Sequence, residues 1–127
     1  MATLFDTNIF LEVLLGQEKK KTCKDQLNES IDSLFLSDFS LHSIGVILLK
    51  QGKHKVFEAF VEDILSHSTI VSLAKERYNQ VAKLSKEYTL DFDDAYQVAI
   101  AQEYNLKIAT MDRDFKKVAG IIHIDII

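Results

Sequence analysis

The sequence predicts an α/β fold: three layers, α/β/α, around a central, mostly parallel sheet of four to five strands. Short apolar or β-branched runs alternate with longer stretches of helical periodicity from one end of the chain to the other. Neither a linker nor a repeat nor a low-complexity segment interrupts them, so residues 1–127 read as a single domain. Hydrophobic residues make up 47% and charged residues 27% of the chain, enough of each for a packed core under a solvated surface.

The elements follow in order. Ala2–Phe5 is a short buried strand. Asp6-Thr7-Asn8 ends it and offers cap oxygens to a helix that starts near Ile9 and stops at Gly16. Residues 17–29, rich in lysine, form a second and largely exposed helix. Leu34-Phe35-Leu36 is the next strand, and Ser37 or Asp38 caps a helix through Leu41, Ile44, Ile47 and Leu48 to Gly52. Residues 53–66 are helical again. Thr69-Ile70-Val71 is a β-branched strand, 73–87 a helix, and Asp91–Asp94 opens another that carries Ala95, Val98, Ala99 and Ala101. Those small side chains let a helix lie close to a sheet. Lys107–Thr110 is a strand, Asp114–Val118 a helical turn, and Ile121–Ile124 the last strand. The chain has no proline, so caps and four glycines supply every break.

Composition narrows function. No run of about 18 apolar residues exists to span a bilayer, and Met1–Asp6 lacks a basic leader and an apolar signal region, which predicts a cytoplasmic protein away from membranes. A lone cysteine, Cys23, cannot form an internal disulfide or a multi-thiolate zinc site, and reads as helix packing. The net charge of −4 disfavours nonspecific binding to nucleic acid. Three basic runs offset it: Lys19, Lys20, Lys21 and Lys24; Lys50, Lys53 and Lys55; Lys116 and Lys117. Each suits phosphate, although a solvated helix face is the ordinary role of such a run.

The acidic residues are more specific. In open α/β sheets, ligands bind beyond the carboxyl ends of the strands. Asp6, Asp38 and Asp112 each follow a strand, and Asp94 begins the alanine-rich helix. Carboxylates gathered at one place repel one another unless protons or cations neutralise them. Oxygen donors without thiolate suit Mg²⁺ or Mn²⁺, which acidifies water and stabilises charge on a phosphodiester. Each residue also has a plainer role. Asp6 and Asn8 are good helix caps, and Asp94 suits a helix dipole. Asp91 and Asp93 fit that role better still, since neighbouring positions cannot all face one site. Of Asp112 and Asp114, two apart, one reads as a cap.

At Leu4-Phe5-Asp6-Thr7-Asn8, Asp93-Asp94-Ala95 and Ala109-Thr110-Met111-Asp112-Arg113-Asp114-Phe115 the sequence resembles the PIN-domain family, especially the VapC-type toxins. Each motif is weak alone; their order and spacing are fairly specific together, and they extend over almost the whole chain. The resemblance implies a PIN-like α/β/α fold, Mg²⁺ or Mn²⁺, hydrolysis of RNA, a homodimer and an antitoxin that occupies the site. Carried over by position, Asp6, Asp94 and Asp112 or Asp114 look like metal carboxylates, with Asn8 and Thr110 in support. The family's glutamate in the helix after strand two is missing; its place falls near Ser43. Asp38 is the candidate substitute, with His42 one helical turn on and on the same side, to contact phosphate or assist the metal; a helix histidine without function is the equal alternative. His54, His67 and His123 show no ligand spacing.

Three functions follow. The first is a divalent-metal-dependent endoribonuclease, the toxin of a toxin–antitoxin pair. The second is a catalytically weak or inactive protein- or RNA-binding module, in keeping with the missing glutamate and the acidic charge. The third, a phosphotransferase with Asp6 as nucleophile, ranks last because Asn8 stands where such sheets carry a second aspartate. Phe10 and Leu14 on the first helix are candidates for a dimer or antitoxin surface, against core packing as the plainer role.

Overall fold

The computed structural model describes all of residues 1–127. Five parallel strands form its centre: β1 (Thr3–Phe5), β2 (Leu34–Ser37), β3 (Thr69–Val71), β4 (Lys107–Thr110) and β5 (Ile124–Ile126), in the order β3-β2-β1-β4-β5. The chain moves outward from β1 to β2 and β3, then returns to place β4 on the other side of β1. That reversal creates a topological switch point between β1 and β4, where the connections leave in opposite directions and a crevice opens.

Parallel strands require crossovers, and the helices supply them. On one face lie α1 (Thr7–Leu14), α2 (Lys20–Glu29), α3 (Asp38–Lys50) and α4 (His54–Asp63). Their core contains Phe5, Phe10 and Phe60 in edge-to-face contact, with centroids 6.2 and 5.8 Å apart. On the other face lie α5 (Tyr78–Tyr88) and α6 (Phe92–Tyr104), packed on Leu4 and Ile108. Leu4 and Phe5 thus enter opposite cores, as the two-residue period of a doubly covered strand demands. Helix α6 runs so close to the sheet that every residue from Ala95 to Ala101 is buried. Phe10 is fully buried and is core rather than surface. No helix is long and apolar enough to cross a membrane.

Most boundaries agree with the periodicity; a few move. The last strand is Ile124–Ile126, not Ile121–Ile124. The N–H groups of Ile121 and Ile122 turn back to the Val118 carbonyl, so the chain is still closing a helical turn there. The helix expected over 73–87 begins with a 3-10 turn at Lys75–Arg77 before α5. Cys23 is buried, with Sγ 3.9 Å from the Met111 sulfur, and burial followed by the Glu12 charge raises its pKa. It is a packing residue, as expected.

Candidate functional site

The crevice at the switch point is a cleft lined by Asp6, Asp94, Asp112, Asp93, Asn8 and Ser43, among others. Each reaches it for a local reason. Asp6 ends β1, and its N–H donates to the Ala109 carbonyl of β4 at 2.9 Å, which pins the residue across the switch point. Its side chain caps α1 by accepting from the Thr7 N–H at 2.8 Å, while the other oxygen accepts from the Thr110 hydroxyl at 2.8 Å. Asp112 follows β4. Its N–H donates to Thr110 Oγ1 at 3.0 Å, and its carboxylate accepts from the Asp114 N–H at 2.9 Å. Asp94 stands in the first turn of α6, the last helix of the crossover from β3 to β4.

The electrostatics follow from burial and like charge. Asp6 is 8% exposed. Burial raises its pKa, the hydrogen bonds from Thr110, Thr7 and Gln97 oppose that, and the Asp112 charge raises it further. The Asp94 carboxyl is pushed up to about 7, first by burial and then by the charges of Asp6, Asp112, Asp91 and Asp93. Several negative groups thus share a space that favours a neutralising proton or cation.

A polar layer that the sequence reading did not identify supports the cleft. The Gln97 amide donates to Ser40 Oγ at 2.8 Å, and the Ser40 hydroxyl shares hydrogen bonds with the Thr7 hydroxyl at 2.8 Å and the Ser37 hydroxyl at 3.2 Å. Gln97 is 2% exposed, and its Oε1 is the one buried side-chain polar atom with no protein partner. The available signal was its spacing: Gln97 lies three residues after Asp94, on the same side of α6.

The structure separates the other candidates. Asp38 does not enter the cleft; it lies with His42 in a neighbouring hollow, where its Oδ1 accepts from the Tyr96 hydroxyl at 2.8 Å. Ser43 is the α3 residue that faces the carboxylates. Five residues separate it from Asp38, roughly 140° around a helix of 3.6 residues per turn, so one side excludes the other. Asp38 therefore does not fill the place of the missing glutamate. Asp114 is exposed and stays outside; of the pair, Asp112 is both the cap and the cleft residue. Asp93, set aside as a dipole residue, lines the cleft beside Asp94. Lys20, Lys24 and Lys55 line a separate, mainly apolar groove with Leu34 at the start of β2, away from the carboxyl ends of the strands.

As a metal centre the cleft offers oxygen donors only, but no three acidic, histidine or cysteine side chains converge tightly enough to chelate an ion together. Magnesium and manganese tolerate this, because they retain waters and take one or two carboxylates plus substrate oxygens. The donor chemistry fits such an ion, with Asp6, Asp94 and Asp112 as the residues to hold it.

Comparison with known proteins agrees with the topology. A toxin–antitoxin complex from Klebsiella pneumoniae contains a chain with a TM-score of 0.78 and 24% identity, covering 98% of this chain and 96% of that one. VapC20 from Mycobacterium tuberculosis, a sarcin–ricin-loop-cleaving toxin, matches at 0.75 and 13% identity, over 95% and 96% of the two chains. VapBC2 from Rickettsia felis, bound to a DNA fragment from its promoter, matches at 0.78 and 16%, covering 98% of each. These likenesses are of fold. No curated protein sequence matches the chain. The family model described as the PIN domain matches residues 3–121, and with the switch-point cleft in place the chain belongs to the PIN-domain family.

Proposed function

We propose that this chain is a divalent-metal-dependent endoribonuclease and the toxin of a toxin–antitoxin pair, working where it is made, in the cytoplasm. One observation carries the reading: Asp6, Asp94 and Asp112, from three distant parts of the sequence, line one cleft at the switch point of the sheet. The toxins and toxin–antitoxin complexes among the similar structures support it. Bound there, Mg²⁺ or Mn²⁺ supplies a Lewis acid for the phosphodiester and acidifies water.

The chain's own residues do the rest. Thr110 and the Thr7 N–H hold the two oxygens of Asp6 in one orientation, so little ordering is left when a cation arrives. Asp112 is held in turn by the Asp114 N–H. Gln97 presents a buried acceptor to the same cleft, and Asn8 at its rim suits a contact to substrate. No side chain needs to act as a covalent nucleophile, and Asp6, with both oxygens engaged, is poorly disposed to be one.

The test is cleavage of RNA in Mg²⁺ or Mn²⁺ by the native chain against Asp6→Asn and Asp94→Asn. Loss of cleavage by about a hundredfold or more in both is expected, the upper end of what even outer residues of metal sites command. Cleavage unchanged in both variants excludes the mechanism. The alternative, a weak or inactive protein- or RNA-binding module, is favoured by the uncharged Ser43 in the cleft. Calorimetry with Mn²⁺ separates the two, since the module binds no cation at micromolar concentration. Co-purification with the product of an adjacent small reading frame tests the antitoxin.

A further inference from the structure

Beside the acidic cleft is a second hollow, of about 400 Å³, framed by Asp38, Phe39, His42, Tyr78, Phe92 and Tyr96. It is built by the first turns of α3, α5 and α6. Phe39 lines both the hollow and the cleft, so the two are continuous. Tyr96 forms its floor. The Phe92 ring stacks on it with centroids 6.2 Å apart and planes 19° from parallel, Tyr78 leans over it at 5.9 Å, and Phe39 meets it edge-on at 6.3 Å. Phe92 is 57% and Tyr78 44% exposed, so two aromatic faces stand in water at the mouth of the cleft.

We propose that this hollow is a nucleobase subsite, which stacks one unpaired base of a single-stranded RNA whose backbone crosses the adjacent acidic cleft. The proposal rests on the ribonuclease reading and names how the substrate is gripped. Three features favour a base over a phosphate or an apolar peptide. The ring faces are flat, exposed and closely grouped, as stacking of unpaired bases requires. No lysine or arginine lines the hollow, and its one charged side chain is an aspartate, which repels phosphate. That aspartate has a spare acceptor. Asp38 Oδ1 is taken by the Tyr96 hydroxyl and the Phe39 N–H, both at 2.8 Å, whereas Oδ2 has no protein donor. A fixed carboxylate at the rim of an aromatic platform selects a base edge carrying an amino group. Adenine and cytosine satisfy it; uracil presents O4 in that place. His42, one turn along α3, edges the same rim.

The test compares binding of labelled, nuclease-resistant 2′-O-methyl oligoadenylate, oligouridylate and an abasic strand of equal length, by fluorescence anisotropy in Mg²⁺. The proteins are the native chain, Phe92→Ala, Phe92→Trp and Asp38→Asn. Both positions are exposed, so the fold tolerates the changes. Phe92→Ala is expected to weaken oligoadenylate binding about tenfold, the middle of the range for loss of one base stack, and to leave abasic binding unchanged. Phe92→Trp restores it. Asp38→Asn narrows the preference for oligoadenylate over oligouridylate. Equal loss on base-bearing and abasic strands, or no loss, overturns the subsite. So does a Phe92→Ala change in sedimentation, which would assign the ring to a protein interface. RNA cleavage that persists with unchanged binding in Phe92→Ala sinks the subsite alone. A native chain that neither binds nor cleaves any strand sinks the nuclease reading with it. Base-dependent binding without cleavage keeps the subsite and removes the chemistry.

Discussion

Two neighbouring hollows share Phe39, and each holds an aspartate from the first turn of a helix, yet the two carboxylates live differently. Asp38 is exposed: a tyrosine hydroxyl and a backbone N–H donate to its Oδ1, Oδ2 faces water, and no other acid lines its hollow. Asp94 is partly buried and also faces four other carboxylates, and no protein hydrogen bond offsets either, so its pKa climbs to about 7. The residue type and the helix position are alike. What differs is burial first and company second, and together they leave Asp94 with an unmet demand for a proton or a positive charge.

The sharpest way to break this contrast is to supply the charge. Asp94 titrates near 3.8 when unfolded and near 7 when folded. Between those values the folded chain binds more protons than the unfolded chain, so Asp94 lowers stability as pH rises through this window, and the loss is complete above it. Without divalent ions, Asp94→Asn should therefore melt several degrees higher than the native chain at pH 8 and no higher at pH 4. Adding Mn²⁺ at a hundredfold excess over Kd should stabilise the native chain by about 2.7 kcal/mol and leave Asp94→Asn nearly unmoved. Thermal melts across pH, with and without Mn²⁺, decide it; a native chain indifferent to the ion removes the demand. Asp125 runs the other way. Burial would raise its pKa, but hydrogen bonds from Lys107 and His123 outweigh it, so its contribution disappears only as pH falls below the carboxylate range.

A smaller effect sharpens the same comparison. Ser43→Glu adds a carboxylate to the cleft from the face of α3 that already lines it. Calorimetry should find Mn²⁺ bound about tenfold more tightly, the modest end of the effects seen when metal-site residues change, with the ion-free protein less stable. Unchanged affinity would mean that α3 does not approach the ion. Smallest of all, Asp38→Ala should leave Mn²⁺ affinity within error and lower stability by about 1 kcal/mol, the value of the tyrosine hydrogen bond it removes. A large loss of metal binding there would merge the two hollows into one site.

How much of this could be read from the sequence depended on geometry. The layer order, and Asp6, Asp94 and Asp112, were accessible because strand ends and helix starts are local signals and the switch-point rule turns them into a place. Asp38 misled, since a position after a strand says which end of the sheet a residue occupies but not which side of the following helix. That angle separates it from Ser43. Asp93 was discarded on the argument that adjacent residues diverge, yet the cleft is wide enough for both it and Asp94 to line it. The Thr7, Ser37, Ser40 and Gln97 layer joins three segments by hydrogen bonds, and nothing in any one of them announces the others.

The hydrogen bond from Thr110 to Asp6 spans 104 positions of sequence. A ribosome releases Asp6 almost at once and Thr110 only after nearly all of the remaining chain has been made. Until β4 slides in beside β1, the first carboxylate has neither its orienting hydroxyl nor its partner Asp112. Long-range pairing of this kind is slow to form, so an unfinished chain has no assembled cleft. The switch point is among the last features of the molecule to exist, because it needs both ends of the sequence at once.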